Sequence, residues 1–419
     1  MDKLFYNAKM KSTLRAISSK SEAHRYLICA ALGDGECLIE CTDTNADIDA
    51  TVACLNSLGA EIKRTESGFY VVPIKEIKKN QVLDCNESGS TLRFLLPLTA
   101  SLGADPSFLM HGRLPQRPLS PLYELLQENG IVMSVQGANP LHVSGKLTCG
   151  HFRVAANISS QYVSGLLMAL SVAGGESTLT LEGKIESAPY IEMTLDALRA
   201  FGADIYYNNE EKRFTVIGKG RLCSPARVVV GGDWSNAAFP LVAGAIGQAP
   251  VTVTGLVTSS RQGDRAILEI LKKMGASVTQ AEDGITVSPS PLRAVSIDAA
   301  DIPDLVPILA VAASVAQGET TIFNASRLRL KESDRIESVC DTLRALGAEI
   351  TPTADGMAIL GKKRLSGGAV DSHNDHRIAM SAAIASLVCD GTVSISRFEA
   401  INKSYPSFTE IFSEQQYTL

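Results

Sequence analysis

Five side chains that can carry or exchange charge, Lys20, Arg25, Arg93, His376 and Arg377, lie in or beside short polar clusters that each open a nearly uncharged apolar run. Six such clusters occur, at residues 18–21, 88–91, 159–161, 233–236, 301–304 and 373–377. A helix apolar all round is a buried helix. Its N-terminus exposes unpaired N–H groups and carries roughly half a positive charge. Such a head, reinforced by Arg or Lys, is suited to phosphates and carboxylates. Ser, Asp and Asn in these clusters can also be plain helix caps, but six clusters that also gather the cations are better explained by a site. His373 and His376 form an HxxH with no further ligand cluster nearby, so no metal is expected, and nothing implies an organic cofactor.

The elements that must position these residues repeat. The phrase Leu58-Gly59-Ala60 returns as Asn129-Gly130-Ile131, Phe201-Gly202-Ala203, Met274-Gly275-Ala276 and Leu346-Gly347-Ala348, with glycines 71, 72, 73 and 72 residues apart. Each follows a helical pattern and precedes two short β runs, so each glycine reads as a left-handed helix C-cap feeding a strand. The apolar helices make a second, out-of-phase series of six. The unit implied has two helices and about four short strands, repeated six times. Three units grouped around their buried helices form a domain, and the break between two such domains falls near residues 221–226. If the buried helices run parallel, their heads share one face in each domain, and two such faces opposed would make a cleft for anions.

The bulk properties agree with a cytoplasmic small-molecule protein. The chain has 419 residues, 45% hydrophobic, 20% charged and only 5% aromatic, with a net charge of -6. That balance excludes a general binder of nucleic acid or anionic membrane. Residues 1–20 show no signal-peptide pattern, and the uncharged stretches 154–175 and 234–260 are too polar or too broken by Pro, Gly and Thr to span a bilayer. The nine scattered cysteines form no CxxC and read as small buried residues in a reducing compartment.

Over essentially its whole length the sequence resembles the 5-enolpyruvylshikimate-3-phosphate synthases. The segments that carry the resemblance are Ser19-Lys20-Ser21 with Arg25, Gly89-Ser90-Thr91-Leu92-Arg93, Gln116-Arg117-Pro118-Leu119 and Ser159-Ser160-Gln161-Tyr162 in one half. They continue with Ser187-Ala188-Pro189-Tyr190, Ile302-Pro303-Asp304, Leu330-Lys331-Glu332-Ser333-Asp334-Arg335 and Asn374-Asp375-His376-Arg377. The resemblance implies an α/β fold of two domains, an inside-out α/β barrel in which each domain is a threefold repeat around buried parallel helices. It assigns 14–226 to the first domain, mainly the shikimate 3-phosphate side, and 1–13 with 227–419 to the second, completing the phosphoenolpyruvate side. It implies a monomer that transfers the enolpyruvyl group of phosphoenolpyruvate to the 5-hydroxyl of shikimate 3-phosphate, and it implies a target of glyphosate.

By the same resemblance Lys20, Ser21, Arg25, Ser159, Ser160, Gln161, Ser187, Tyr190, Asp304 and Lys331 face shikimate 3-phosphate, while Lys20, Gly89, Arg93, Arg117, Gln161, Arg335, Arg377 and Lys403 face phosphoenolpyruvate. Two anions side by side need dense cationic compensation, which explains the residue types. Addition and elimination also need acid/base groups. Asp304 is expected to serve the substrate hydroxyl, Glu332 with Lys20 the methylene carbon, and His376 to steady or relay. Glu332 could instead simply pair with Arg335 at i,i+3. Gly89 could be a close-approach position or a positive-φ requirement.

One segment departs from the family pattern. Many members read Asn-x-Gly-Thr around Gly89, whereas here Glu87-Ser88 separate Asn86 from Gly89, Ser90 stands where Thr is common, and Phe94 follows Arg93 where Pro is frequent. Two alternatives share the fold. A UDP-amino-sugar enolpyruvyl transferase would use a loop cysteine as a general acid, and the corresponding residues 105–117 contain none. A non-catalytic anion receptor would gain nothing from Asp304 and Glu332, which repel its ligand.

Overall fold

The computed structural model describes residues 2–413. The chain divides into two compact units, Ser18–Val230 and Met1–Ile17 with Gly231–Leu419. Both breaks lie four residues beyond the sequence-based boundaries at 14 and 227. Pairing supplies the reason: the strand Thr13–Arg15 lies parallel to Val251–Thr254 and belongs with the later residues, while Arg227–Val229 lies parallel to Cys37–Glu40 and belongs with the earlier ones.

The first unit, Ser18–Val230, contains six α-helices: α1 (Lys20–Ala31), α2 (Ala46–Leu58), α3 (Gly89–Leu102), α4 (Leu122–Glu128), α5 (Ser160–Ser171) and α6 (Ala188–Ala200). The second contains α7 (Trp234–Ile246), α8 (Ile267–Lys273), α9 (Val306–Ala313), α10 (Arg335–Ala345) and α11 (His376–Ala385). Each unit has its own hydrophobic core. Helices α3, α5, α7, α9 and α11 are buried along nearly their whole length, whereas α6 and α10 bury only one face. This is the division expected when uncharged runs alternate with amphipathic ones.

Five of the six sheets are four-stranded and share one plan. Two parallel strands lie side by side, and an antiparallel hairpin completes the sheet, as in His151–Ala155, Gly175–Glu182, Arg213–Gly218 and Asp204–Asn208. In the central pair Leu179 faces Phe214, and alternate residues point into the core. The sixth sheet departs from the repeat. It has three strands, with Lys3–Phe5 pairing antiparallel to Val393–Ser396, and short 3-10 turns at Phe398–Lys403 and Phe408–Ile411 follow where an amphipathic helix stands elsewhere. The expected unit of two helices and four strands therefore occurs five times, not six. The five helix-ending glycines mark those five units: Gly59, Gly130, Gly202, Gly275 and Gly347 all have positive φ, which suits a residue without Cβ.

Within the first unit α3 and α5 run in the same direction. Gln161, near the head of α5, bonds Ser90 and Arg93 near the head of α3, and one turn on, Gly165 lies against Phe94 and Pro97. A Cβ on Gly165 would sit 2.4 Å from the Arg93 carbonyl oxygen, so only glycine permits this approach. In the second unit α7, α9 and α11 pack on one another. All nine cysteines carry free thiols, seven of them buried. Among the described residues no helix is long and apolar enough to cross a membrane, and no group of His, Cys, Asp and Glu could hold a metal ion.

Candidate active-site residues

The polar clusters first act as caps. Ser19, Ser88, Ser159, Asp233 and Asp375 each accept a backbone N–H at the head of α1, α3, α5, α7 and α11. Helix α9 is the exception, since the 3-10 turn Pro303–Leu305 precedes it and no side chain caps it. Ser159, a sequence-based ligand candidate, thus has its oxygen engaged by Gln161 N at 3.3 Å.

In the first unit the heads of α1, α3, α5 and α6 present the expected residues. Lys20 opens α1 and reaches Asp47 Oδ2 at 2.8 Å. Arg25 is buried against the Phe94 ring, and its guanidinium donates to Thr194 Oγ1 at 2.8 Å, Ser21 O at 2.6 Å and Tyr190 O at 2.9 Å. Burial draws its pKa down to about 10, against the pull of Tyr190 and Glu22. The guanidinium remains a cation at neutral pH and ties the head of α1 to α6. Ser187, at the head of α6, is buried with φ 54°, a conformation uncommon outside Gly, Asn and Asp. Ser160 is buried at the head of α5.

Gln161 bridges α3 and α5. It accepts from Arg93 Nη1 and donates to Ser90 Oγ, both at 2.9 Å. Arg93 also donates to Pro118 O at 3.3 Å, and Arg117 is buried immediately before that proline. Gly89 lies between the two arginines: a Cβ there would meet Arg93 Nη1 at 2.7 Å and Arg117 Nη1 at 2.8 Å. Gly89 is the first residue of α3 and is not among the positive-φ glycines, so the alternative of a left-handed backbone requirement is wrong.

Beneath these heads lies a buried hydroxyl chain that sequence reading missed. His24 Nδ1 meets Thr51 Oγ1 at 2.8 Å, Thr51 meets Thr91 at 2.7 Å, and Thr91 donates to Ser88 Oγ at 2.8 Å. Burial, with Lys20 and Arg25 close by, holds the His24 pKa well below its usual value, so the ring is neutral.

The second unit holds the remaining candidates in an ion-pair cluster. Arg335 is almost fully buried and touches three carboxylates: Asp375 from Nε at 2.8 Å, Asp304 from Nη1 at 2.8 Å and Glu332 from Nη2 at 2.7 Å. Burial disfavours its charge, but Asp375, Glu332 and Asp304 outweigh burial and raise its pKa. Asp304 also lies 3.2 Å from Arg377 Nη2 and 3.8 Å from Lys331 Nζ. Burial alone would raise the Asp304 pKa; Arg377, Lys331 and Arg335 prevail and hold it well below the ordinary carboxylate range. Lys403 donates to the Asn374 carbonyl at 2.6 Å. His376 is buried with Nδ1 3.8 Å from Asp375 Oδ1, beyond hydrogen-bond reach.

The expected Arg335–Glu332 pair is present, though Glu332 precedes the helix rather than riding on it. Asp375, which sequence reading passed over between His376 and Asn374, both caps α11 and holds Arg335 and Ser333. A single Asp at a helix head gives no sign of the second duty. Chemically, each unit offers concentrated positive charge at helix heads, and the second adds carboxylates able to exchange protons.

The family model for EPSP synthase (3-phosphoshikimate 1-carboxyvinyltransferase) matches residues 6–412. A 3-phosphoshikimate 1-carboxyvinyltransferase of Clostridium perfringens is 42% identical over 410 residues, 97% of this chain and 96% of the relative. One from Clostridium novyi is 42% identical over 408 residues, 94% and 93% of the two chains. The EPSP synthase structure from Acinetobacter baumannii superposes with a TM-score of 0.81 at 26% identity, covering 100% of this chain and 99% of that one. The enolpyruvyl transferase NikO from Streptomyces tendae, 19% identical and covering 99% of each chain, shares the fold at a TM-score of 0.79.

Proposed function

The chain belongs to the EPSP synthase family, and from that premise we infer that it transfers the enolpyruvyl group of phosphoenolpyruvate to the 5-hydroxyl of shikimate 3-phosphate and releases phosphate. The observation that carries this reading is Asp304, a carboxylate ringed by Arg335, Arg377 and Lys331. A receptor for anions gains nothing from it, whereas an addition–elimination needs a group to take the hydroxyl proton.

The roles follow from charge competition. Without ligand, Asp304 and Glu332 are neutralised by the same cations that suit the substrates. A phosphate and a carboxylate arriving at those cations draw them away from the protein carboxylates. Asp304 then regains basicity and takes the proton of the 5-hydroxyl as that oxygen attacks the central carbon of phosphoenolpyruvate. Glu332, released from Arg335 and so made more basic, takes a proton from the Lys20 ammonium and delivers it to the methylene carbon. The tetrahedral intermediate loses phosphate, whose charge Lys20, Arg117, Arg335 and Lys403 stabilise, and Glu332 takes a proton back from the new methyl group to restore the double bond. Arg93, Gly89, Gln161, Arg377 and Lys403 complete the phosphoenolpyruvate side; Ser21, Arg25, Ser159, Ser160, Gln161, Ser187, Tyr190 and Lys331 serve shikimate 3-phosphate; His376 steadies the second set. The first unit thus carries most of the shikimate 3-phosphate contacts, and the second completes those to phosphoenolpyruvate.

We extend the reading to the fold as an inside-out α/β barrel in each unit, supported by the shared strand order of the sheets around buried helices. It acts as a cytoplasmic monomer, in keeping with nine free thiols. The test is phosphate release from phosphoenolpyruvate that depends on shikimate 3-phosphate, repeated on Asp304→Asn. That variant should lose roughly two to four orders of magnitude in turnover while shikimate 3-phosphate still binds. Turnover within a few-fold of wild type would leave Asp304 a positioning residue only.

A further inference from the structure

Asp264 appears in none of the substrate contacts above, yet it is buried beside them. It sits in the 3-10 turn Gly263–Ala266, which is fixed across the head of α7 by its neighbour Gln262. The Gln262 side chain accepts from Trp234 N and donates to Gly232 O, both at 2.9 Å. So anchored, Asp264 Oδ2 accepts a hydrogen bond from the hydroxyl of Ser235, in the first turn of α7. With its hydrogen committed there, the Ser235 oxygen turns a lone pair outward and accepts from Arg377 Nη2 at 3.2 Å. The same guanidinium donates from Nη1 to the Asp304 carbonyl at 3.1 Å, and its Nη2 lies 3.2 Å from Asp304 Oδ2. A continuous chain Asp264–Ser235–Arg377–Asp304 therefore joins the heads of α7, α11 and α9.

We propose that Asp264 is a positioning residue for Arg377, fixing the Ser235 hydroxyl as an acceptor so that the guanidinium is aimed at the anionic substrate. This rests on the assignment of Arg377 to phosphoenolpyruvate. The orientation depends on the Asp264 proton. Ionised, the carboxylate can only accept, and Ser235 must present its oxygen to Arg377. Protonated, the carboxyl can donate to that same oxygen and compete with the guanidinium. Burial and the nearby Asp304 carboxylate push the Asp264 pKa up to about 7, with Asp233 adding to the rise and Arg377 and the Ser235 bond opposing it. Both states are populated near neutrality, and the aim of Arg377 sharpens as the pH rises.

Asp264→Asn keeps the shape and removes the ionisation. A hydrogen bond to a charged group is worth about tenfold in binding, so the KM for phosphoenolpyruvate should rise about tenfold over wild type near pH 8. Near pH 6, where wild-type Asp264 is itself largely protonated, the ratio should shrink to about twofold or less. Turnover and the KM for shikimate 3-phosphate should stay within about threefold. Ser235→Ala should reproduce the rise, and the double variant should add nothing to either single one.

The melting temperature separates positioning from packing. A carboxyl whose folded pKa is raised costs the fold stability above that pKa. Asp264→Asn should therefore melt at or above the wild-type temperature near pH 8. A KM ratio that is the same at both pH values, an equal rise for both substrates, or additive effects of the two substitutions would overturn the proposal. Wild-type activity tells the two readings apart: an inactive wild type overturns the functional reading and this inference with it, whereas an active wild type with unchanged variant constants overturns the inference alone.

Discussion

A methyl group on Gly89 would come within 2.8 Å of both Arg93 and Arg117, and in each case the atom met is the far end of a flexible side chain rather than backbone. Because the φ angle is compatible with any residue, Gly89→Ala should fold normally and instead push the two guanidiniums apart. Its melting temperature should change by no more than about 2 °C, the effect of under 1 kcal/mol. The KM for phosphoenolpyruvate should rise, and inhibition by the longer competitor glyphosate should weaken by a larger factor. Equal losses for substrate and inhibitor, with a clear fall in melting temperature, would point to a packing role instead. The residues that could be read from sequence were of this kind, cations and a glycine at the heads of apolar runs. Asp375, Asp264 and Asp47 could not be read, because a lone Asp near a helix head has the same signature whether it caps, as Asp233 does for α7, or holds Arg335, Ser235 or Lys20.

At the scale of elements, the contact between α3 and α5 sets the distance between Arg93 and Gln161. Gly165 lies in that contact, facing the Arg93 carbonyl oxygen and the Pro97 ring. Here, unlike Gly89, the obstacle is backbone and cannot swing aside. Gly165→Ala should destabilise the first unit by about 1–3 kcal/mol, the usual effect of overpacking, seen as a lower urea midpoint with an unchanged slope. It should also raise the KM for phosphoenolpyruvate by stretching the Arg93–Gln161 bond. An unchanged midpoint would mean the helices separate at no cost. The periodic glycines and uncharged helices made five repeats legible from sequence. The sixth was misread, since its apolar helix α11 follows the pattern while its sheet borrows Lys3–Phe5 from far away, a pairing that local patterns do not carry.

That borrowed strand matters for the whole molecule. Phe5 is fully buried, with ring centroids 5.6 Å from Phe398 and 5.1 Å from Phe412. Phe5→Ala should cost the second unit about 3–5 kcal/mol. Hydrogen exchange should speed up in Val393–Ser396, which pairs with its strand, while amides of α3 and α5 in the first unit keep their protection. Exchange that quickens equally in both units would show that they unfold as one.

The same pairing fixes an order of events during synthesis. Leu4 pairs with Ser394, 390 residues later. At roughly 5–20 residues per second on the ribosome, the strand Lys3–Phe5 waits roughly 20–80 s for its partner. Residues 18–230 are all translated during that interval and form a unit with its own core. That strand meanwhile remains unpaired, with Lys3 in it and Lys9 and Lys11 following it, like charges that hinder nascent chains on neighbouring ribosomes from pairing with one another.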